Sequence, residues 1–526
     1  MTMSLKYLAA DLKAGFFVFL LALPLCLGIS IASGFPPVAG IYTAVIGGVI
    51  GSLLGSARLT IKGPAAGLIV IVLGAVTELG MGDPYTGYQK ALAVGCVAAA
   101  LQIIFGAVRG GLIGELIPSS VIHGMLSAIG VIIIAKQVHT VLGVIPVTSA
   151  PLALLLELPS NLLKLNPEVF LIGALTIASL IFWPKINNKF ARKIPAPIIA
   201  LSLSMALGFY FDFEHLHTYN FLNQNYTVDP KLLINLPASF LGAITYPDFS
   251  SIMSFTSLKY ILMFSLVGSI ESLLTVNAVD SIDPERKTSN LDRDLLATGV
   301  ANFLASAIGG LPMISEIVRS KANVDAGAKS ATANFSHGLF LLISVMMFPQ
   351  ILHMIPTATL AAMLVFTGFR LASPHEFSHN YKIGLDQFVP FMTTFVLTLA
   401  VDLLVGVIAG LILQLILNIS RGISLKHLFH VEGENYIVNE EELHIHVKGP
   451  ILFTNAFKFK KILEKIRPDT KKVVFHFSSA QVVESPVFTL IDTYGKNNGK
   501  IIEIRGLDSH QCVSKHEHCT RIKKAQ

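Results

Sequence analysis

Charge is what this sequence has least of. Only 14% of its 526 residues are Asp, Glu, Lys or Arg, against about 25% in ordinary soluble proteins. Hydrophobic residues make up 53%, and the mean hydropathy is +0.66. A chain this poor in charge cannot solvate a whole surface. It suits a bilayer, where a charge at the centre costs about 2.5–3.5 kcal/mol or more. Cysteine is also scarce: Cys26, Cys96, Cys512 and Cys519 are scattered and give no disulfide framework. The first two lie in apolar runs and read as small hydrophobes. No Walker loop, Gly-x-Ser-x-Gly elbow or dinucleotide fingerprint is present, so nothing supports an ATPase, an enzyme or a nucleic-acid partner. Met1 to Asp11 is short and weakly basic, and the apolar run after it shows no small-residue cleavage pattern, so that run reads as a first spanning helix rather than a leader.

What is present is a series of apolar runs. A helix needs about 20 mostly apolar residues to cross a bilayer. Full spans are expected near 14–33, 37–56, 88–108, 119–138, 168–184, 194–213, 258–280, 293–309, 333–352, 356–372, 388–403 and 405–422. Two stretches, 64–78 and 312–325, are too short to cross. Each begins at a proline after a glycine-containing approach, Ile61-Lys62-Gly63-Pro64 and Ile308-Gly309-Gly310-Leu311-Pro312. The prolines suggest the first turn of a helix, where no N–H partner is needed. Together there are fourteen segments, and the short ones are the third and the tenth. Those positions are equivalent if the membrane part is two units of seven, about 11–213 and 256–422. An odd number of segments per unit inverts the second. Paired, Gly/Pro-interrupted segments are the best sequence pointer to a transporter's substrate site.

The loop with Lys185, Lys189, Arg192 and Lys193 contains no acid. The long loop after the seventh segment carries Asp212, Glu214, Asp229 and Asp248 against Lys231 alone. Basic loops stay cytoplasmic, which puts both termini of a multi-pass plasma or inner membrane protein inside. After residue 424 the character changes. Leu443–Lys448, Lys472–Phe477 and Lys500–Arg505 read as strands, Asn455–Ile466 and Ser485–Asn497 as helices: a cytoplasmic α/β domain over 436–526.

Ionisable residues inside spans are functional candidates. Glu271 lies mid-span with Thr275 one helical turn further on the same face. The pair could ligate Na+ or exchange a proton, or Glu271 could simply hold a neighbouring helix. Glu316 opens the tenth segment. It could carry a proton and so neutralise the site for an anion, or pair with Arg319 three residues on. An anion needs donors, and the half-helix starts at Pro64, Ala65, Ala66 and Gly67 and at Ser315, Glu316 and Ile317 supply backbone N–H groups and a hydroxyl. Arg319 and Arg58 could add field, or anchor the cytoplasmic side. The tail His510-x-Cys512-x-x-x-His516-x-His518-Cys519 matches no zinc spacing. It reads as an ordinary solvated segment, so no metal is expected.

The sequence also resembles a family. Asp11-Leu12-x-Ala14-Gly15, Pro24, and Ala32-Ser33-Gly34-Phe35-Pro36-Pro37-x-x-Gly40-Ile41-Tyr42 look like the opening of SulP anion permeases, and Arg58 with Gly63-Pro64-Ala65 continues the pattern. Glu271-Ser272-Leu273-Leu274, Gly309-Gly310-Leu311-Pro312, Arg319-Ser320 and Ala326-Gly327-Ala328 match in the second half. The C-terminal domain looks like a STAS domain. The resemblance implies a polytopic helical membrane protein with the seven-plus-seven inverted repeat of uracil permease-like carriers, forming a core and a gate. It implies a homodimer in membrane lipid, cytoplasmic protein partners for the STAS domain, and a small inorganic anion, sulfate or bicarbonate foremost. No cofactor is implied beyond Na+ or H+ as coupling ion. Glu271 falls where the family's eighth-helix carboxylate acts, and Thr275 where a hydroxyl assists. Two departures matter. Many relatives have small residues in place of Ser315-Glu316, which favours proton involvement here. Glu484-Ser485-Pro486-Val487 stands where phosphorylated STAS domains carry Asp-Ser-Ser-Gly, so phosphoregulation does not carry over.

The reading is therefore a secondary active anion transporter. Its rivals are a nucleobase–proton symporter on the same fold and a non-transporting scaffold that presents the soluble domain.

Overall fold

A computed structural model describes residues 5–523 apart from 112–117, 149, 189–193, 238, 286, 425–426, 430–431, 440–441, 465 and 468. Lys189, Arg192 and Lys193, which bear on orientation, lie outside the described residues. The chain forms two compact units, residues 1–111 with 130–370, and residues 112–129 with 371–526.

The first unit holds α1 (Leu8–Ala32), α2 (Pro37–Leu54), β1 (Lys62–Pro64), α3 (Ile69–Gly80) and α4 (Pro84–Ala107). Most of α5 (Ser119–Leu142) follows, then α6 (Pro151–Leu162), α7 (Pro167–Phe182), α8 (Ala196–Tyr210) and the hairpin β2 (His217–Phe221) and β3 (Gln224–Val228). It ends with α9 (Phe255–Ile282), α10 (Leu291–Ala307), β4 (Met313–Ser315), α11 (Ile317–Asp325), α12 (Thr332–Met347), α13 (Pro349–His353) and α14 (Thr357–Leu371). Among the described residues, seven helices are long and apolar enough to cross a membrane. Local signals set several helix starts. Asp83 caps α4 by accepting from Tyr85 N and Thr86 N, with Pro84 in the first turn, and Asn166 does the same before Pro167.

Every expected full span contains a helix, with three corrections. The run 333–352 is two helices, because Pro349 has no N–H to continue α12 and Phe348 turns out of it (φ −128°, ψ 40°). The short segments do not begin as helices at their prolines. Lys62–Pro64 and Met313–Ser315 are extended and pair antiparallel, Lys62 with Ser315, Gly63 with Ile314 and Pro64 with Met313. A proline pushes the residue before it out of the helical region, so Gly63-Pro64 and Leu311-Pro312 extend the chain. Helical structure starts only at Ala66, with a 3-10 turn to Leu68, and at Ile317. Finally, hydropathy alone missed α6 and α15 (Pro374–Ile383), whose polar residues, such as Glu157 and Asn161 or His375, Glu376 and Lys382, break an apolar run. Counted along the chain, one lies between the fifth and sixth segments and the other between the twelfth and thirteenth. These are again equivalent places in two units of seven.

The second unit contains α15, α16 (Leu385–Ala400), α17 (Leu403–Ser420) and the C-terminal domain. A four-stranded sheet runs in the order β5 (Glu432–Asn439), β6 (Glu442–Lys448), β7 (Lys472–Ser479), β9 (Ile501–Arg505). The last three strands are parallel and β5 is antiparallel. Helices α18 (Ala456–Glu464) and α19 (Ser485–Asn498) enclose a core in which Ile445, Val447, Phe459, Phe475, Phe477 and Ile491 are fully buried. Each such side chain contributes about 1.5–3 kcal/mol. The strands and helices expected from alternation are present, but β5 adds a strand that begins at Glu432. The tail is largely solvent-facing over 511–518, as expected, but it is ordered by strand pairing. His510–Cys512 (β10) pairs with Arg521–Lys523 (β11), and β11 in turn with Val482–Val483 (β8); the His510 ring bonds Ala480 O at 2.8 Å, and Cys519 is fully buried.

Candidate functional site

Extended backbone inside a membrane must have its polar groups satisfied by protein, and the β1–β4 crossing meets that demand with side chains. Ile61 N donates to Ser320 Oγ (2.8 Å) and Lys62 N to Asn334 Oδ1 (3.2 Å). Asn302 accepts from Met313 N (2.6 Å) and donates to Met313 O (3.0 Å). Thr43 Oγ1 donates to Leu311 O (3.0 Å), and Asp11 accepts from Lys329 N and Ser330 N at 2.7 and 3.1 Å, tying α1 to the loop after α11. The crossing is thus a small, fully buried sheet from which two half-helices leave.

The two predicted carboxylates meet at the start of one of them. Glu316 Oε1 accepts from Ala66 N at 3.2 Å. Glu271, 6% exposed on α9, lies against Gly67: a Cβ there would stand 2.2 Å from Oε1 and 2.5 Å from Oε2. Only glycine lets that carboxylate approach the backbone so closely. Glu271 Oε1 has no hydrogen-bond partner. Thr275 is 8% exposed one turn further along the same helix. Pro64 and Ala65 belong to the extended approach, so the backbone donors at this end begin at Ala66, not at Pro64, which has no N–H.

At the other half-helix, Glu316 is the N-cap and makes no side-chain cap bond, so the N–H groups from Ile317 onward meet no capping side chain. Arg319 does not pair with Glu316. It is 1% exposed, places Nη1 3.6 Å from Cys26 Sγ, and leaves Nε and Nη2 without partners. Buried polar atoms without partners call for a ligand or water. Ser315 is engaged elsewhere: its hydroxyl accepts from Lys62 Nζ (3.0 Å) and Ser272 Oγ (3.3 Å), and its N–H donates to Ser272 Oγ (3.2 Å). Arg58 stands apart, bonded to Asp283 (2.8 Å) and Glu285 (2.5 Å).

Sequence reasoning passed over the buried Lys62 with its partner Asp294, the buried His337, and the half-buried Lys136. Lys62, 1% exposed, forms an ion pair with Asp294 at 2.7 Å. In sequence Lys62 stands in the approach to Pro64, and Asp294 falls near the start of the 293–309 span. His337 is fully buried, with neither ring nitrogen partnered. Lys136 lines a cavity of 240 Å3 with Gly28 and Leu73. Each was detectable as an ionisable residue inside an apolar run.

Two broken helices that meet through a buried polar centre define a membrane carrier built on discontinuous helices. The chain belongs to the sulfate permease family, whose model matches residues 8–394. It is 25% identical over 517 residues to YvdB of Bacillus subtilis (strain 168), whose name provisionally assigns sulfate transport, covering 96% of this chain and 93% of that one. It is also 25% identical over 365 residues to the bicarbonate transporter BicA of Picosynechococcus sp., covering 69% of this chain and 62% of BicA. The solved transmembrane domain of a cyanobacterial BicA matches with a TM-score of 0.65 at 25% identity, over 78% of this chain and 98% of that one. Murine Slc26a9 shares the fold, with a TM-score of 0.69 at 15% identity, over 95% of this chain and 86% of that one.

Proposed function

We propose that this chain carries a small inorganic anion, sulfate or bicarbonate, across a cell membrane by alternating access, with H+ as the coupling ion. Sulfate and bicarbonate come from what the relatives are named for. The proton rests on one observation: Glu316 bonds Ala66 N while Glu271 lies against Gly67. Both carboxylates occupy the N-terminus where an anion would bind. Two unit charges about 4 Å apart repel by roughly 4 kcal/mol even at an effective dielectric constant of about 20. Two carboxylates and an anion together exceed what the nearby Arg319 can balance, and Lys62 is already paired with Asp294. A proton taken up by the pair relieves the conflict and travels with the anion.

In this reading Ala66, Gly67 and the N–H groups from Ile317 onward hold the anion, and Arg319 adds charge and two free donors. Glu316 is the gatekeeper carboxylate, Glu271 its partner, and Thr275 a supporting hydroxyl. Both termini are cytoplasmic, the unit is a homodimer, and the STAS-like domain is regulatory.

Uptake of labelled sulfate and bicarbonate into proteoliposomes, under imposed H+ or Na+ gradients, tests it. Accumulation driven by H+ supports the reading. Accumulation driven by Na+ alone rejects the proton, and no movement of either anion rejects the substrate class.

A further inference from the structure

The Lys62 side chain runs from β1 into a cage of oxygens. Its Nζ lies 2.7 Å from Asp294 Oδ2, 2.8 Å from Thr298 Oγ1 and 3.0 Å from Ser315 Oγ. An ammonium has three N–H donors and no acceptor, so each proton has one partner. Asp294 and Thr298 sit four residues apart on α10, on one face. The Thr298 hydroxyl donates to Asp294 O (2.8 Å), which leaves its oxygen lone pairs for Lys62. Asp294 Oδ1 accepts from Ala57 N (3.1 Å), and Ser315 is bonded to Ser272 of α9. One buried charge therefore links β1, β4, α10 and, through Ser272, α9. The stem has its own channel: a Cβ on Gly51 of α2 would come within 2.5 Å of Lys62 Cδ and 3.2 Å of Cε.

A primary ammonium and a small monovalent cation ask the same of a site: oxygen ligands, one balancing negative charge and exclusion of water. The cage offers all three. We infer that Lys62 is a tethered cation, which fills a monovalent-cation position beside the β1–β4 crossing and makes the core independent of a free cation at that point. Without it, the Asp294 carboxylate would be buried without its counter-charge, a strongly unfavourable state. A free Na+ or a small alkylammonium would then be drawn into the vacated space. The transport arm of the test rests on the function proposed above; the binding arm does not.

The test uses the purified full-length chain with Lys62→Ala, alone and with Asp294→Asn. Melting is followed in choline, too bulky for the cage, in Na+ and in methylammonium. Lys62→Ala is expected to melt below wild type in choline and to rise by about 2 °C or more in Na+ or methylammonium at ~100 mM. Wild type and the double variant should melt alike in all three salts. In proteoliposomes, uptake by Lys62→Ala should fall about tenfold or more in choline and recover in methylammonium. A Lys62→Ala protein that folds only when made in Na+ or methylammonium also supports the tethered cation. A protein indifferent to all three cations, or a double variant that responds equally, overturns it. So does a Lys62→Ala that folds in none of them while the double variant folds. If wild type itself moves no anion, the transport reading has failed, and melting still decides the cage.

Discussion

Glu316 Oε1 accepts a hydrogen bond from Ala66 N at 3.2 Å, so a carboxylate at the cap of one half-helix sits on the N-terminus of the other. In effect the protein carries its own competitor for the anion. Glu316→Gln keeps an oxygen that can accept from Ala66 and removes the charge. The expected variant exchanges labelled anion for unlabelled across a membrane but no longer concentrates it when the outside is acidified. Its uptake should be nearly flat with pH where wild type rises towards acid. Loss of exchange together with accumulation would mean that Glu316 is needed for more than its proton.

Gly67 is the residue that admits Glu271. A methyl group there meets the carboxylate oxygens at 2.2 and 2.5 Å, well inside any tolerated contact. Gly67→Ala should lower uptake about tenfold or more, the effect of ~1.4 kcal/mol or greater on the limiting step. The melting temperature should change little, because α3 continues unbroken beyond this point. Unchanged uptake would place the working position of Glu271 elsewhere.

Arg319 holds two unpartnered N–H positions, Nε and Nη2, in a fully buried place. A charge-assisted hydrogen bond contributes about 1.5–3 kcal/mol. Arg319→Gln should therefore raise the half-saturating anion concentration at least tenfold, measured by uptake against anion concentration. A lysine should recover only part of this, since it offers a point charge in place of a fork.

In the second unit, Glu484 Oε1 accepts from Gln414 Nε2 of α17 (3.0 Å) and Oε2 from Phe453 N (2.6 Å). Burial pushes this carboxyl above the ordinary carboxylate range, against the lowering effect of its hydrogen bonds with Phe453 and Gln414. A carboxyl with a raised folded value favours the folded state most below its unfolded value, and that contribution is lost as pH rises through the folded one. Limited proteolysis between α17 and the C-terminal domain should accelerate as pH rises, and Glu484→Gln should remove the dependence. Ser485 beside it is 6% exposed, so a kinase should not modify it in the folded protein.

Periodicity and composition made the membrane part legible because a lipid-facing helix must be apolar along its length. They also revealed which segments break, since Gly63-Pro64 and Gly310-Leu311-Pro312 are local signals. The helical reading of those prolines failed for a non-local reason: the extended form is stable only because β1 and β4 lie 251 residues apart in sequence (Lys62 to Met313) yet pair. Lys62 and Asp294 escaped notice likewise, because neither residue reveals in sequence that its counter-charge is 2.7 Å away. Helices α6 and α15 were missed because amphipathic surface helices lack the uniform hydropathy that marks a span. The tail's order depends on pairing with β8, a two-residue strand too short to read from sequence.

The most direct test of proton coupling is the proton itself. Liposomes loaded with a pH-sensitive dye and containing wild type, Glu271→Gln or Glu316→Gln would receive sulfate or bicarbonate outside, with no Na+ and the membrane potential clamped. Sulfate separates the cases cleanly, because bicarbonate carries its own acid–base chemistry. Sulfate addition should acidify the lumen of wild-type vesicles in step with labelled uptake, while Glu316→Gln takes up label without acidification. Sulfate entry into wild-type vesicles with no accompanying acidification would contradict the account.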